Sequence, residues 1–338
     1  MPIVALPLAL VLSLVVTPLT IRFAWAVGYL DHPHAHKQHA GATPLLGGAA
    51  IFVSALIAWL AVVLGSGTVV SREAVGLLAG ALVALALGLW DDRHGMQPLV
   101  KLAGQALAAG ILLISVSSPD LHLGPAMNTT VTLVVLVALM NAVNFLDNMN
   151  GMVAGLSAIT LAAFAWTSAA RGATGVAAAQ LALAGGCLGF LRYNFPRARI
   201  FLGDAGSLFL GYSLGASAVL AFVGSPQGWG RLGPALMLAY PAFDMIFVVV
   251  TRLRDGRKIY QGGRDHTNHR LASVLQCPKR TVLLLWLSGA ALCASGLVVQ
   301  RLNRPTPALL LSALWMLLLS AAGIRLSFVP IEVQSKLR

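Results

Sequence analysis

Charged residues are scarce: Asp, Glu, Lys and Arg make up 10% of the 338 residues, and only 11 are acidic. Soluble domains carry about 25% charged residues, so this chain cannot cover a water-exposed globule. Cysteine is nearly missing as well. Cys187, Cys277 and Cys293 form no CxxC or other metal spacing, and two lie in apolar runs; neither a disulfide framework nor a cysteine zinc site is supported. The 34 Gly and 16 Pro show no period, which excludes a collagen-like or low-complexity chain. What the chain does have is apolar residues, 58% of the total, with a mean hydropathy of +0.82. That content excludes intrinsic disorder and leaves an all-α, polytopic membrane helix bundle.

Apolar windows of about 17 to 23 residues recur, each long enough to cross a hydrocarbon core at about 1.5 Å per residue. They predict spans near residues 3–25, 46–65, 74–90, 98–117, 130–146, 151–170, 174–193, 205–223, 232–252, 281–300 and 305–324. The total is ten to eleven, because the join between the fifth and sixth is short enough for a broken or tilted span. No basic stretch precedes the first run, so it reads as a retained helix rather than a signal peptide. The chain contains no internal repeat and no linker. Residues 1–338 form a single expected integral membrane domain, with loops near 26–45, 91–97, 147–150, 194–204 and 253–280.

With eleven spans, loops alternate between two sides. Arg72, Arg171, Arg231, Arg301 and Arg304 fall on one side and the other 18 of the 23 Lys and Arg residues on the opposite one. The positive-inside rule makes the second side cytoplasmic and puts the N-terminus outside. A charge of +12 on such a chain is first a topology signal and an attraction to anionic lipid, so nucleic acid is not an expected partner. All the acids except Glu73 and Asp120, and every histidine except His122, share the cytoplasmic side. Carboxylates gathered from several loops onto one membrane face are costly without partners, and they suggest a metal or phosphate site there.

Five segments carry the chemistry. Trp90-Asp91-Asp92-Arg93 closes the third span; adjacent carboxylates at a low-dielectric boundary need a cation, a shared proton or an Arg, unless they merely cap a solvated helix end. With phosphate present, an oxygen-preferring ion, Mg²⁺ or alternatively Mn²⁺, suits them, and Lys101 is a point charge suited to phosphate. Asn141, Asn144 and Asp147 share a helix face, fit for a polar ligand or for holding helices together. Asn194-Phe-Pro-Arg-Ala-Arg-Ile-Phe-Leu-Gly203-Asp204-Ala-Gly206-Ser207 leads into a helix N-terminus that favours anions, where Asp204 is either a site residue or an N-cap. Gly262-Gly-Arg264-Asp265-His266-Thr-Asn-His269-Arg270 sets two histidines one turn apart beside Arg270, suited to gripping a diphosphate or serving as a plain basic loop; it lacks the HExxH pattern of zincins. The alternating histidines from Asp31 to His39 could chelate a transition metal, but in a site already rich in carboxylates Lys37 as a phosphate contact is the better reading of this run.

As an ordered set, these segments resemble the polyprenyl-phosphate N-acetylhexosamine-1-phosphate transferase family, from Asp31 to Arg270. That family includes phospho-MurNAc-pentapeptide transferase and the UDP-GlcNAc:undecaprenyl-phosphate GlcNAc-1-phosphate transferases that start O-antigen, lipopolysaccharide and teichoic acid assembly. The family's acidic pair looks like Asp91 and Asp92. Its NxxNxxDGxDG segment looks like Asn144, Asp147 and Asn150, its GDxGS segment falls on Asp204 and Ser207, and its His-rich sugar loop on His266, His269 and Arg270. There are two departures. Asn148 and Asn150 stand where Gly and a second Asp are usual, and DHTNHR replaces the three consecutive histidines of the MurNAc-pentapeptide enzymes, which favours the UDP-GlcNAc branch.

The resemblance implies a multi-pass enzyme of a bacterial inner membrane, its active site cytoplasmic. It would move a HexNAc-1-phosphate, GlcNAc-1-phosphate first, from a UDP-HexNAc to undecaprenyl phosphate and release UMP. It implies Mg²⁺ on Asp204 with Asp92 as a second ligand, and Asp91 accepting the lipid phosphate's proton or aligning it for attack. A two-step route through an Asp nucleophile stays open. Asn144, Asp147 and Asn194 would bind the nucleotide or order the metal's surroundings, while Lys37, Lys101, His266, His269 and Arg270 would contact phosphate or sugar. A homodimer is one of the assembly states left open. The competing expectations are a secondary transporter, whose ionisable residues would sit at the bilayer midplane, and a structural scaffold.

Overall fold

The computed structural model describes residues 2–31, 41–67, 70–225, 228–258 and 263–330. Helices dominate: α1 (Ala5–Ala26), α2 (Gly47–Ser66), α3 (Arg72–His94), α4 (Pro98–Ser115), α5 (Pro125–Leu146), α6 (Met152–Ala170), α7 (Thr174–Asn194), α8 (Gly203–Val223), α9 (Leu232–Met237), α10 (Ala239–Arg254), α11 (Thr267–Leu275), α12 (Pro278–Leu302) and α13 (Pro305–Ser327). The strands β1 (Leu30–Asp31) and β2 (Thr43–Pro44) form one short antiparallel pair. Helix starts follow local chemistry. Proline opens α4, α5, α12 and α13, where its missing N–H has no partner to lose, and the Ser71 hydroxyl caps α3 by accepting from Ala74 N.

Among the described residues, ten helices are long and apolar enough to cross a membrane, or eleven if α9 and α10 count as one bent span. This is the expected polytopic bundle, with its break in a different place. The fifth and sixth spans are separate helices, their turn made by Gly151 at φ +78°, a conformation other residues resist. The ninth span, expected as one helix over 232–252, bends by 64° between α9 and α10. Pro241 is the physical reason: it has no N–H for the Met237 carbonyl and its ring crowds that turn. In addition, α3 continues to His94, so Asp91 and Asp92 belong to its last turn rather than to a loop.

The described residues divide into two compact units, Met1–Ser225 and Pro226–Arg338. In the first, α1 and α2 pack on α7, α3 and α5 on α8, and α6 on α7. Lipid offers no hydrophobic drive between helices, so small residues must let backbones approach. A Cβ on Gly48 would lie 2.3 Å from Gly206 N, and one on Gly88 2.3 Å from the Ala205 Cα and 2.4 Å from the Asp204 carbonyl oxygen. Backbone pairing adds to this, with Gly47 N and Gly48 N donating to the carbonyls of Phe201 and Leu202, and Phe201 N to that of Pro44. The start of α2, the end of α3 and the start of α8 are thereby pressed together. Gly88→Ala is expected to cost about 1–3 kcal/mol of stability, read as a lower unfolding midpoint in detergent. Gly110→Ala, where a Cβ meets nothing within 4 Å, should leave that midpoint unchanged.

In the second unit, α12 packs against α9, α11 and α13. The guanidinium of Arg252 grips Asp265 with two bonds of 2.8 Å, and Arg257 Nη1 adds a third at 2.9 Å.

Candidate active site

Four carboxylates collect at helix ends of the first unit. Asp91 and Asp92 close α3, Asp204 opens α8, and Asp147 follows the last residue of α5. Asp92 points at α8. Its Oδ1 accepts from Asp204 N at 2.9 Å and its Oδ2 from Ala205 N at 3.0 Å. It therefore satisfies two of the amides that a helix N-terminus leaves unbonded and sets a negative charge at the positive end of the helix dipole. Gly203 makes room: it sits at φ +74°, and a Cβ there would come within 2.6 Å of Asp92 Oδ2. The capping role considered for Asp204 is thus filled from another helix, while Leu202 occupies the cap position without a side-chain bond.

Freed from capping, Asp204 faces its neighbours. Its Oδ2 lies 2.5 Å from Lys101 Nζ, and its Oδ1 accepts from Asn144 Nδ2 at 2.9 Å. Lys101 also pairs with Asp91 Oδ2 at 2.7 Å, so one ammonium from α4 bridges carboxylates of α3 and α8. Asn144 is held in turn by Ser207 Oγ, 2.9 Å from its Nδ2, and Ser207 is anchored on the Gly203 carbonyl. One turn earlier on α5, Asn141 exchanges two hydrogen bonds with Gln105 of α4. The shared Asn141–Asn144 face thus splits its work, the first residue joining helices and the second reaching the carboxylates.

Among the described residues, Asp147 is the member whose carboxyl has no hydrogen-bond or ion-pair partner. Burial, then the negative charges of Asp204 and Asp92, push its carboxyl well above the usual carboxylate range. Four carboxylates with one lysine among them leave a demand for positive charge, and the available donors are all oxygens or amides. Among the described residues, no three Asp, Glu, His or Cys side chains already meet in the geometry of a metal shell. The carboxylates lie at helix termini rather than mid-helix, which is not the midplane placement a transporter would need.

The remaining expected residues sit elsewhere. Asn194 accepts from Gly151 N at 2.6 Å and donates to the Ile200 carbonyl at 2.9 Å, so it ties two loops together rather than joining the carboxylates. Asn150 donates to the Pro196 carbonyl. Lys37 lies outside the described residues. In the second unit, His266 Nδ1 is 2.8 Å from Asp244 Oδ2, and the His266 and His269 rings meet edge to face at 6.4 Å. Burial, then the neighbouring His266 and Arg264, hold the His269 imidazole down at about 4, so it is neutral near pH 7. Burial alone would raise the Asp265 carboxyl, but the Arg252 hydrogen bond and charge, with Arg257 and His266, hold it at about 2.

Arg270 was expected on phosphate or sugar; its donors reach the protein's own backbone. Nε bonds the Asp265 carbonyl, and Nη1 the carbonyls of Leu326, Ser327 and Val329. It closes the C-terminal end of α13, where helix carbonyls lack partners and favour a cation. Sequence reasoning missed Asp244 as a functional residue. The signal was present: a lone carboxylate in the apolar run of α10 is costly unless it has work to do.

A family model for glycosyl transferase family 4 matches residues 74–222, the stretch that carries Asp91, Asp92, Lys101, Asn144, Asp147 and Asp204. The chain is 32% identical over 309 residues to a probable undecaprenyl-phosphate N-acetylglucosaminyl 1-phosphate transferase of Bacillus subtilis, covering 88% of this chain and 85% of that protein. It is 32% identical over 324 residues to decaprenyl-phosphate N-acetylglucosaminephosphotransferase of Mycobacterium tuberculosis, covering 85% of this chain and 80% of the relative. A phospho-N-acetylmuramoyl-pentapeptide-transferase of Desulforudis audaxviator is 34% identical over 326 residues, covering 87% and 95%. Identity at this level, sustained along most of the length of relatives named as polyprenyl-phosphate N-acetylglucosamine phosphate transferases, makes the chain a member of glycosyl transferase family 4.

Proposed function

We propose that this protein transfers GlcNAc-1-phosphate from UDP-GlcNAc to undecaprenyl phosphate and releases UMP. The observation that carries the reading is the carboxylate cluster of α3, α8 and the α5 end, short of positive charge and gathered at helix ends, in a chain whose relatives are named for this chemistry. One phosphoanhydride replaces another, so no separate energy source is required. Two anions repel as they meet, and catalysis is mostly neutralisation and alignment.

Mg²⁺ fits the residues present. Asp147 is desolvated beside two like charges, and the surrounding donors are the hard oxygens that Mg²⁺ or Mn²⁺ prefers. Asp204 would hold it, with Asp147 or a remaining lone pair of Asp92 beside it, and the bound ion would offset charge on the donor diphosphate. Asp91 accepts the proton of the lipid phosphate and aligns that oxygen for attack on the β-phosphorus. Lys101, one ammonium already serving two carboxylates, orients Asp91. Asn144 fixes Asp204 through its Oδ1. In the second unit, His266 and His269 contact the sugar or phosphate of the donor, and Arg270 secures the loop that carries them. The bias of Lys and Arg supports a cytoplasmic site and an outside N-terminus in a bacterial inner membrane.

The test is UMP release by the purified full chain in detergent with undecaprenyl phosphate and a panel of UDP-sugars that includes UDP-MurNAc-pentapeptide. Release with UDP-GlcNAc, lost in EDTA and restored by Mg²⁺ or Mn²⁺, is the expected result. Preference for the pentapeptide donor would move the chain to the other branch, and no release with any UDP-HexNAc would overturn the reading.

A further inference from the structure

Asp244 is 0% exposed, in an α10 segment that is otherwise mostly apolar. Burying a carboxylate costs several kcal/mol unless its oxygens are well bonded, and here both are. Oδ1 accepts from Thr267 N at 2.8 Å and from Thr267 Oγ1 at 2.5 Å, while Oδ2 lies 2.8 Å from His266 Nδ1. Tyr240, one turn earlier on α10, completes the chain. Its hydroxyl is 3.1 Å from Thr267 Oγ1 and donates to it, since the threonine's own proton goes to Asp244.

The Oδ1 half of this arrangement is a cap for α11, which begins at Thr267. Any acceptor would serve there; an asparagine carbonyl would suffice. The Oδ2 half asks for more. A carboxylate oxygen accepts from Nδ1–H, and in the uncharged ring that arrangement leaves the lone pair on Nε2. A carboxylate at 244 thus selects both the tautomer and the ring plane of His266, which an asparagine could not do.

We propose that Asp244 is a positioning residue: it holds His266 in the Nδ1–H tautomer so that Nε2 accepts a hydrogen bond from a hydroxyl or amide N–H of the donor sugar. This rests on the reading of His266 as a donor contact. Asp244→Asn separates tautomer from fold. Its carbonyl oxygen still accepts from Thr267, but its NH₂ now faces Nδ1 and drives the proton to Nε2.

The experiment records ring ¹⁵N shifts of His266 in the full chain in detergent, assigned by its loss in His266→Ala, together with steady-state kinetics. The wild type is expected to show a protonated Nδ1. In Asp244→Asn the proton should move to Nε2 and KM for UDP-GlcNAc should rise about 10- to 100-fold, with KM for undecaprenyl phosphate unchanged. A wild-type spectrum with the proton on Nε2 overturns the proposal without any variant having to fold. A reversed tautomer with unchanged kinetics overturns it as well. Wild-type kinetics in His266→Ala, with the Nδ1–H tautomer observed in the parent, would instead remove the donor-contact reading and the proposal with it.

Discussion

Asp204→Asn is expected to lower UMP release by about 10³-fold or more, while the protein stays folded. The side chain keeps its shape, but with its oxygen accepting from Asn144 its NH₂ faces the Lys101 ammonium, so that one contact is lost while the helix packing around it is retained. What disappears is the negative charge that meets Lys101 at 2.5 Å and, under the proposed mechanism, holds Mg²⁺. Lys101 retains Asp91 at 2.7 Å, and the repulsion that Asp204 exerts on Asp147 is removed. The unfolding midpoint in metal-free detergent should therefore fall only modestly, far less than the loss of activity, because Lys101 keeps Asp91. A drop in activity that merely follows a drop in the midpoint would make Asp204 a structural residue. Turnover within tenfold of wild type would remove it from the metal site. Calorimetric titration with Mg²⁺ supplies a readout apart from turnover, and the variant should show no saturable heat where the parent does.

Much of this fold was legible because a membrane span announces itself by length and hydropathy alone. The sequence was less informative where two signals competed. Over residues 232–252 the hydropathy is continuous, and it outweighed Pro241, whose missing N–H breaks the helix in the structure. The carboxylates Asp91, Asp92, Asp147 and Asp204 were legible as a group because each is an expensive residue at a helix end on one side. Their separate roles were not. Adjacent residues in a helix point about 100° apart, so Asp91 reaches Lys101 while Asp92 reaches the start of α8; only the crossing of α3 with α8 decides which does which. Asn194 and Arg270 show the same gap. Residue type suggested ligand contacts, whereas their partners are backbone groups far away or out of view in sequence.

Asp92 and Asp244 share a device. Each is a carboxylate on one helix that caps the start of another, α8 and α11 respectively, and each capped helix carries proposed reactive residues in its first turn or at its cap. A cap from within the same segment would fix only that helix. A cap from across fixes the angle between two helices, so side chains at the start of the second are aimed by the first. In lipid, where unsatisfied amides are costly, such an acceptor contributes to folding and to aim together.

The consequence for Asp92 is a graded pair of variants. Asp92→Ala removes the acceptors of Asp204 N and Ala205 N together. Charge-assisted bonds are worth about 1.5–3 kcal/mol each, and losing a cap about 0.5–2; a net loss of about 2–3 kcal/mol in stability is expected, because water can reach part of this helix end. With the first turn of α8 released, Asp204 loses its fixed approach to Lys101, and UMP release should fall about 10²-fold or more. Asp92→Asn keeps one acceptor and turns an N–H toward the other amide, so it should fall between wild type and alanine in both the unfolding midpoint and turnover. A residue whose main task is to hold a metal behaves differently. Asparagine and alanine would then abolish Mg²⁺ dependence alike, and neither would shift the metal-free midpoint downward. Parallel grading of midpoint and rate supports the cap; equal loss of rate with an unmoved midpoint assigns Asp92 to the metal.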